Sequence, residues 1–79
     1  MHYVYLIKSS RFDELYVGLT NDIDRRLKEH NRGKVSSTKS AMPWDLVTYI
    51  AFSDRAKAEA FEKYLKSHSG RAFLKKRLV

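Results

Sequence analysis

Cysteine is absent from the 79-residue sequence, which excludes disulfide staples, zinc ribbons and thiol nucleophiles and fits a reducing cytoplasm. No run of about 18 apolar residues occurs, so no membrane-spanning helix is expected. The opening Met1-His2-Tyr3-Val4 lacks the layout of a secretion signal, and the chain is expected to be cytoplasmic. Glycine occurs three times and proline once; Gly18, Gly33 and Gly70 each fall where an element is expected to end. Acid is scarce as well: nine Asp and Glu face sixteen Lys and Arg, for a net charge of +7 and a pI near 9.9. That density of positive charge points to a polyanionic partner, nucleic acid first, although solubility alone also explains a basic small protein.

The charge is not evenly spread. Residues 25–34 hold five Lys or Arg and one acid, and residues 63–77 hold six and none, so two basic patches are expected. The length suits one small domain, which excludes repeat arrays and mechanisms needing a separate cofactor domain. Hydrophobic residues at 43% and aromatics at 13% suffice for one core, but a domain this short buries only about 60% of its unfolded surface, leaving little room for internal cavities.

Residues 2–8, HYVYLIK, place Tyr3, Tyr5 and Ile7 on one face and Val4 and Leu6 on the other, the pattern of a strand buried on both sides. Residues 9–14 are turn-like, and residues 15–19 resume strand composition as the second arm of a hairpin, with Gly18 expected to end the pairing. Residues 20–33 carry a capping residue, early acids, Ile23 and Leu27 four apart, late bases and a terminal glycine, and are expected to be helical. Residues 34–43, KVSSTKSAMP, have no period and read as a mobile polar loop. Residues 44–52 form a third strand by their β-branched and aromatic content. Ser53-Asp54 then caps a second helix with Ala58, Phe61 and Leu65 as its apolar stripe and an exit at Ser69-Gly70; residues 71–78 make a short last helix with Phe73, Leu74 and Leu78 inward. The expected fold is α+β, a small three-stranded antiparallel sheet flanked by helices in the order β-β-α-β-α-α.

Tyr5, Tyr16, Arg26, His30 and Glu62 are the polar residues that stand out. Adjacent strands can bring the two tyrosines together, and Arg26 and His30, four apart, share one helix face. Such a group could surround one phosphate: a guanidinium matches it bidentately, a tyrosine hydroxyl can donate to it or accept a proton from water, and a carboxylate can hold Mg²⁺. Each residue also has a plainer reading. The tyrosines serve equally as core aromatics, Arg26 as a solvated helix charge, His30 as a partner of the helix dipole, and Glu62 as the partner of Lys66.

The order of these residues resembles a known family. Tyr3-Val4-Tyr5, ten intervening residues, Tyr16-Val17-Gly18, then Asn21-Asp22 and Arg25-Arg26-Leu27-Lys28-Glu29-His30 look like the signature of the GIY-YIG nuclease superfamily. Ala58-Glu59-Ala60-Phe61-Glu62-Lys63-Tyr64-Leu65-Lys66 is similar to the helix that carries that family's metal-binding glutamate. The compact length and the ending Ser69-Gly70-Arg71-Ala72-Phe73 resemble its small stand-alone bacterial branch, the excinuclease-like or predicted endonuclease domain proteins.

That resemblance implies a metal-dependent endonuclease acting on DNA, in repair or recombination, with Mg²⁺ or Mn²⁺ as cofactor. It implies that Tyr5 supports the active-site hydrogen bonds, Tyr16 is the general base for the attacking water, and Arg26 contacts the scissile phosphate. His30 would assist proton transfer or phosphate contact, and Glu62 would be the only protein ligand of the metal. Gly18 would allow close backbone approach beside the site. Two positions depart from the pattern: Tyr3 stands where the first motif begins with glycine, and Leu19 stands where excision-repair relatives have lysine. Lys66, and less readily Lys39, are expected to supply the missing cation, and no counterpart is found for the asparagine of homing-type relatives.

Arg25, Lys34, Lys39 and Lys66 are the expected nucleic-acid contacts, with the loop over residues 34–43 touching the substrate or serving as an ordinary surface connection. The rival reading is a non-catalytic nucleic-acid-binding or recruitment module of the same fold. Specificity would come from DNA shape, a protein partner or self-association, as a monomer or a weak homodimer with an exposed Phe or Trp near the loop as contact.

Overall fold

The computed structural model describes residues 1–79. Strand β1 (His2–Ser9) is apolar on both faces because it is central: β2 (Leu15–Thr20) pairs antiparallel on one side and β3 (Trp44–Phe52) on the other, in the order β2-β1-β3. Helices α1 (Ile23–Asn31), α2 (Arg55–Lys66) and α3 (His68–Arg77) complete the α+β order expected from sequence. The strand alternation divides the core in two. Val4 and Leu6 pack with Val17, Ala58, Leu65 and Leu74 under α2 and α3. Tyr5 and Ile7 face the other way, onto Ala41 and Trp44.

Several boundaries differ from the expected ones. Gly18 does not end the hairpin pairing: it sits opposite Tyr5, and β2 continues until Thr20 meets Tyr3. Helix α1 begins only after Asp22, whose side chain accepts from the Arg25 amide, so Thr20 belongs to the strand. The segment over residues 34–43 is not a mobile loop. It contains a 3-10 turn (Lys39–Ala41), and Thr38 and Ala41 are buried. The Trp44 indole donates to the Thr38 carbonyl at 2.9 Å, Ser9 Oγ donates to the Ala41 carbonyl at 2.6 Å, and Asn31 bonds both backbone groups of Trp44. Side chains scattered along the chain thus satisfy the backbone that a period would otherwise have organised. Trp44 is therefore a core residue and is not available as an exposed aromatic for a contact between copies.

The second helix stops at Lys66, before the expected exit at Ser69-Gly70. Ser67 ends α2 and begins α3: its hydroxyl donates to the Tyr64 carbonyl at 2.6 Å and accepts from the Gly70 amide at 3.1 Å. Phe73 points outward, at 37% exposure, while Leu74 is the buried anchor. Gly70 is buried where α3 turns back on α2, and a Cβ there would overlap the Tyr64 carbonyl, a backbone group that cannot step aside.

Replacing Gly70 with alanine is expected to destabilise the protein by about 1–3 kcal/mol through this overpacking, read as a lower urea midpoint with an unchanged m-value. An unaltered midpoint would show that the helix junction has slack.

Candidate active site

Cross-strand geometry starts the site. Tyr5 pairs with Gly18, and its ring lies over that residue so closely that a Cβ on Gly18 would overlap the hydroxyl and the ring. The missing side chain is the space the tyrosine occupies. Tyr16 pairs with Ile7, one register step along the same face, which puts the two tyrosine rings 6.4 Å apart. Helix α1 covers this face through Ile23, Leu27 and the fully buried His30. The His30 ring meets Tyr5 at 5.7 Å and Tyr16 at 5.1 Å between centroids, both edge-on.

Both His30 nitrogens are engaged. Nε2 lies 2.7 Å from the Tyr5 hydroxyl and Nδ1 2.7 Å from the Thr38 hydroxyl. Thr38 Oγ1 also donates to the Val35 carbonyl at 3.3 Å. A hydroxyl has one proton, so Thr38 must accept from Nδ1–H; Nε2 is then an acceptor, and the Tyr5 hydroxyl donates to it. The direction of the chain is Tyr5 to His30 to Thr38 to Val35. Burial, reinforced by the Arg26 charge and only partly opposed by Glu29, holds His30 below the ordinary value of 6.5, as this neutral tautomer requires.

With its proton given to His30, Tyr5 turns its lone pairs toward Arg26. Burial pushes the Tyr5 hydroxyl up to about 12, and the neighbouring Arg26 guanidinium pulls against that rise. Tyr5 is thus a fixed, protonated post. Arg26, half-buried on α1, is bonded to Glu29 at 3.0 Å, and Glu29 and Tyr5 both hold its charge in place. The Arg26 hydrogen bond in turn keeps the Glu29 carboxyl below the usual carboxylate range.

Helix α2 supplies the opposite rim. Glu62 presents a side chain with 21% exposure and is bonded to Lys66 at 3.2 Å, while the Lys66 ammonium stands 5.9 Å from the Tyr16 ring centroid. Glu62 is also close enough for its charge to raise Tyr5. No group of three or more His, Cys, Asp or Glu side chains gathers anywhere in the molecule. A hard divalent cation keeps most of its waters and needs one or two carboxylates plus substrate oxygens. A partly exposed carboxylate whose partner is a single flexible lysine fits that demand.

Tyr5, Tyr16, Arg26, His30 and Glu62 are therefore brought together from β1, β2, α1 and α2, with Lys66 beside them. His30, however, has no exposed surface and no free nitrogen, so it cannot touch phosphate as expected; it positions Tyr5. Arg25 lies on the outer side of α1, donating to Asn21 at 3.1 Å, and shares a depression with Lys28, Arg32 and Lys34 and with the acids Asp22, Asp24 and Glu29. Lys39 opens the 3-10 turn rather than joining the tyrosines. Sequence reasoning missed Thr38, which orients His30, and Arg55, which opens α2 next to the α1 arginines. Thr38 stands in a Ser/Thr-rich run where nothing local separates the buried hydroxyl from the exposed ones.

Comparison with known proteins places the chain in a family. The family model described as the GIY-YIG catalytic domain matches residues 1–77. The chain is 38% identical over 69 residues to a UPF0213 protein of Haloquadratum walsbyi, covering 86% of this chain and 76% of that protein. It is 41% identical over 69 residues to a UPF0213 protein of Bacillus licheniformis, covering 86% and 70%. The solution NMR structure of a UPF0213 protein from Bacillus halodurans superposes with a TM-score of 0.57 at 33% identity, covering 95% of this chain and 82% of that one.

Because folded His30 resists protonation, the unfolded chain binds the proton more readily once pH falls below 6.5, and stability, complete above that value, falls with it. The slope can approach about 1.4 kcal/mol per pH unit for one group. Urea midpoints taken from pH 8 to 5 should decline below 6.5, and His30→Gln should flatten that part of the curve; an unchanged curve in the variant would place the titrating group elsewhere.

Proposed function

This chain belongs to the GIY-YIG catalytic-domain family, and from that premise we propose that it is a metal-dependent endonuclease that hydrolyses DNA phosphodiester bonds in repair or recombination. The observation that carries the reading is the common rim on which Tyr16, Arg26 and Glu62 meet around the Tyr5 hydroxyl, itself locked by the buried His30. A structural role alone does not require an arginine, a carboxylate and two tyrosines from four elements to face one point at the surface.

In this reading each side chain has one task. Arg26, held by Glu29 and Tyr5, donates two parallel N–H groups to the scissile phosphate and stabilises the charge that grows on its oxygens. Tyr5 keeps the guanidinium in register and does not exchange its proton at neutral pH. Tyr16, as its phenolate, takes a proton from the attacking water and becomes a neutral phenol, and the Lys66 ammonium 5.9 Å from its ring centroid stabilises the phenolate before that step. Water oxygen bonds to phosphorus, one P–O ester bond breaks, and the departing oxygen takes its proton from solvent water. Glu62, released from Lys66, would hold Mg²⁺ or Mn²⁺, which when bound supplies Lewis-acid polarisation of the phosphate. Lys66, 5.9 Å from the Tyr16 ring centroid, is the residue that would stand in for the cation absent at Leu19. Arg25, Lys34 and Lys39 extend the positive surface along which the DNA backbone lies.

The test is incubation of the protein with supercoiled plasmid and with branched and linear duplexes in Mg²⁺ or Mn²⁺, beside EDTA. Metal-dependent nicking is expected, falling about 100-fold or more in Arg26→Ala, Glu62→Ala and Tyr16→Phe, since single charge-stabilising or proton-transferring groups are worth that much. DNA bound in a salt-dependent way but left uncut by the parent protein would refute the enzyme and leave a non-catalytic binding module.

A further inference from the structure

Beside Arg26 lies a cavity of about 430 Å³ lined by His2, Thr20, Asn21, Arg25, Arg26, Glu29 and Arg55, with Leu19 its one apolar wall. Three guanidinium groups face it, two from α1 and one from the first residue of α2. Its carboxylate, Glu29, is already committed to Arg26 at 3.0 Å. The remaining arginines have only weak ion pairs: Arg25 stands 3.9 Å from Asp22 and Arg55 3.7 Å from Glu59, every one of those side chains more than half exposed, and Arg25 also donates to the Asn21 side chain at 3.1 Å. Such pairs contribute no more than about 1 kcal/mol each, so both cations are free to exchange a weak carboxylate contact for a bidentate phosphate one. The N-terminus of α2 is already capped by the Asp54 carboxylate, which accepts from the Ala56 amide at 2.8 Å, so the positive wall rests on the arginines alone.

We propose that this cavity is a second phosphate site, in which Arg55 and Arg25 take the backbone phosphate next to the one that is cut. The assignment rests on the endonuclease reading for the identity of its neighbour. Arg26 is the shared wall between the two sites, so a strand whose scissile phosphate meets Arg26 at the tyrosines continues across the guanidinium into the cavity. Its size lies within the range of small-ligand sites, enough for a sugar-phosphate unit, and its polar lining suits a charged backbone, not a base.

Fluorescence anisotropy with a labelled DNA duplex in EDTA, across a range of salt, tests this without relying on cleavage. Arg55→Gln should weaken binding several-fold at low salt and reduce the slope of log Kd against log salt by about 1, the signature of one lost phosphate contact. Arg55→Lys should keep the slope, and Lys57→Gln, an equal change of charge on the same helix outside the cavity, should leave both quantities as in the parent. An unaltered slope in Arg55→Gln, or the same loss in Lys57→Gln, would overturn the proposal. So would displacement of the duplex by inorganic phosphate at concentrations where equal ionic strength of chloride has no effect and Arg55→Gln abolishes that displacement, because the cavity would then be a site for the free ion. Failure to nick plasmid leaves this binding result standing, so the two readings fail separately.

Discussion

A neutral histidine ring with no solvent exposure joins three parts of this protein, and the rest of the site is arranged around it. His30 comes from α1, its Nε2 accepts from Tyr5 in the central strand, and its Nδ1 donates to Thr38 in the long connection. A buried imidazole is tolerable only with both nitrogens partnered. Here the partners also carry information: because Thr38 spends its proton on Val35, the ring has one tautomer, and Tyr5 has one direction in which to point its own. No buried side-chain polar atom in the molecule lacks a partner. Removing any member of the chain would leave the next one unsatisfied, at a cost of about 1–3 kcal/mol, so tyrosine orientation and fold stability are the same quantity seen from two sides.

Electrostatics then divides labour between two chemically identical groups. Tyr5 is buried and its proton is bonded to an acceptor, and its hydroxyl is raised to about 12. Tyr16, half-buried, lies under the Lys66 ammonium on the α2 side. One tyrosine holds Arg26, and the other stays half-buried at the rim. The separation follows from register alone: Tyr5 lies opposite a glycine, which lets its ring sink inward, whereas Tyr16 lies opposite Ile7, whose side chain keeps the ring higher.

Much of this was legible in the sequence. The doubly apolar HYVYLIK segment announced a central strand, and the Ile23 and Leu27 spacing announced a helix against it. The tyrosine, arginine and glutamate positions followed from motif order, and the geometry gathers them. What could not be read was whatever depends on a single long-range partner. Thr38, Asn31 and Ser9 tie the connection over residues 34–43 to the core, but each is an ordinary polar residue until its partner is known. The helix boundary failed for a similar reason: Ser69-Gly70 resembles an exit, yet Gly70 is needed for close approach to Tyr64, and Ser67 does the capping. From sequence His30 reads as a partner of the helix dipole or a contact to phosphate, because spacing alone does not reveal that it is buried against Tyr5 and Thr38.

The shared cap at Ser67 also limits how this chain can be lengthened. One hydroxyl closes α2 and opens α3 with no residue to spare, so an insertion there would uncap two helices and pull Leu74 away from Leu65 in the core. The exposed hairpin turn between β1 and β2 is tied only at its base, by the Ser9 amide on the Glu14 carbonyl, the Ser10 bonds to the Pro43 carbonyl and the Ser9 hydroxyl that accepts from the Arg11 and Phe12 amides. Added segments, fusion partners or circularly permuted ends would be accommodated at residues 12–14 and rejected at 67, giving the fold one permissive seam and one sealed one.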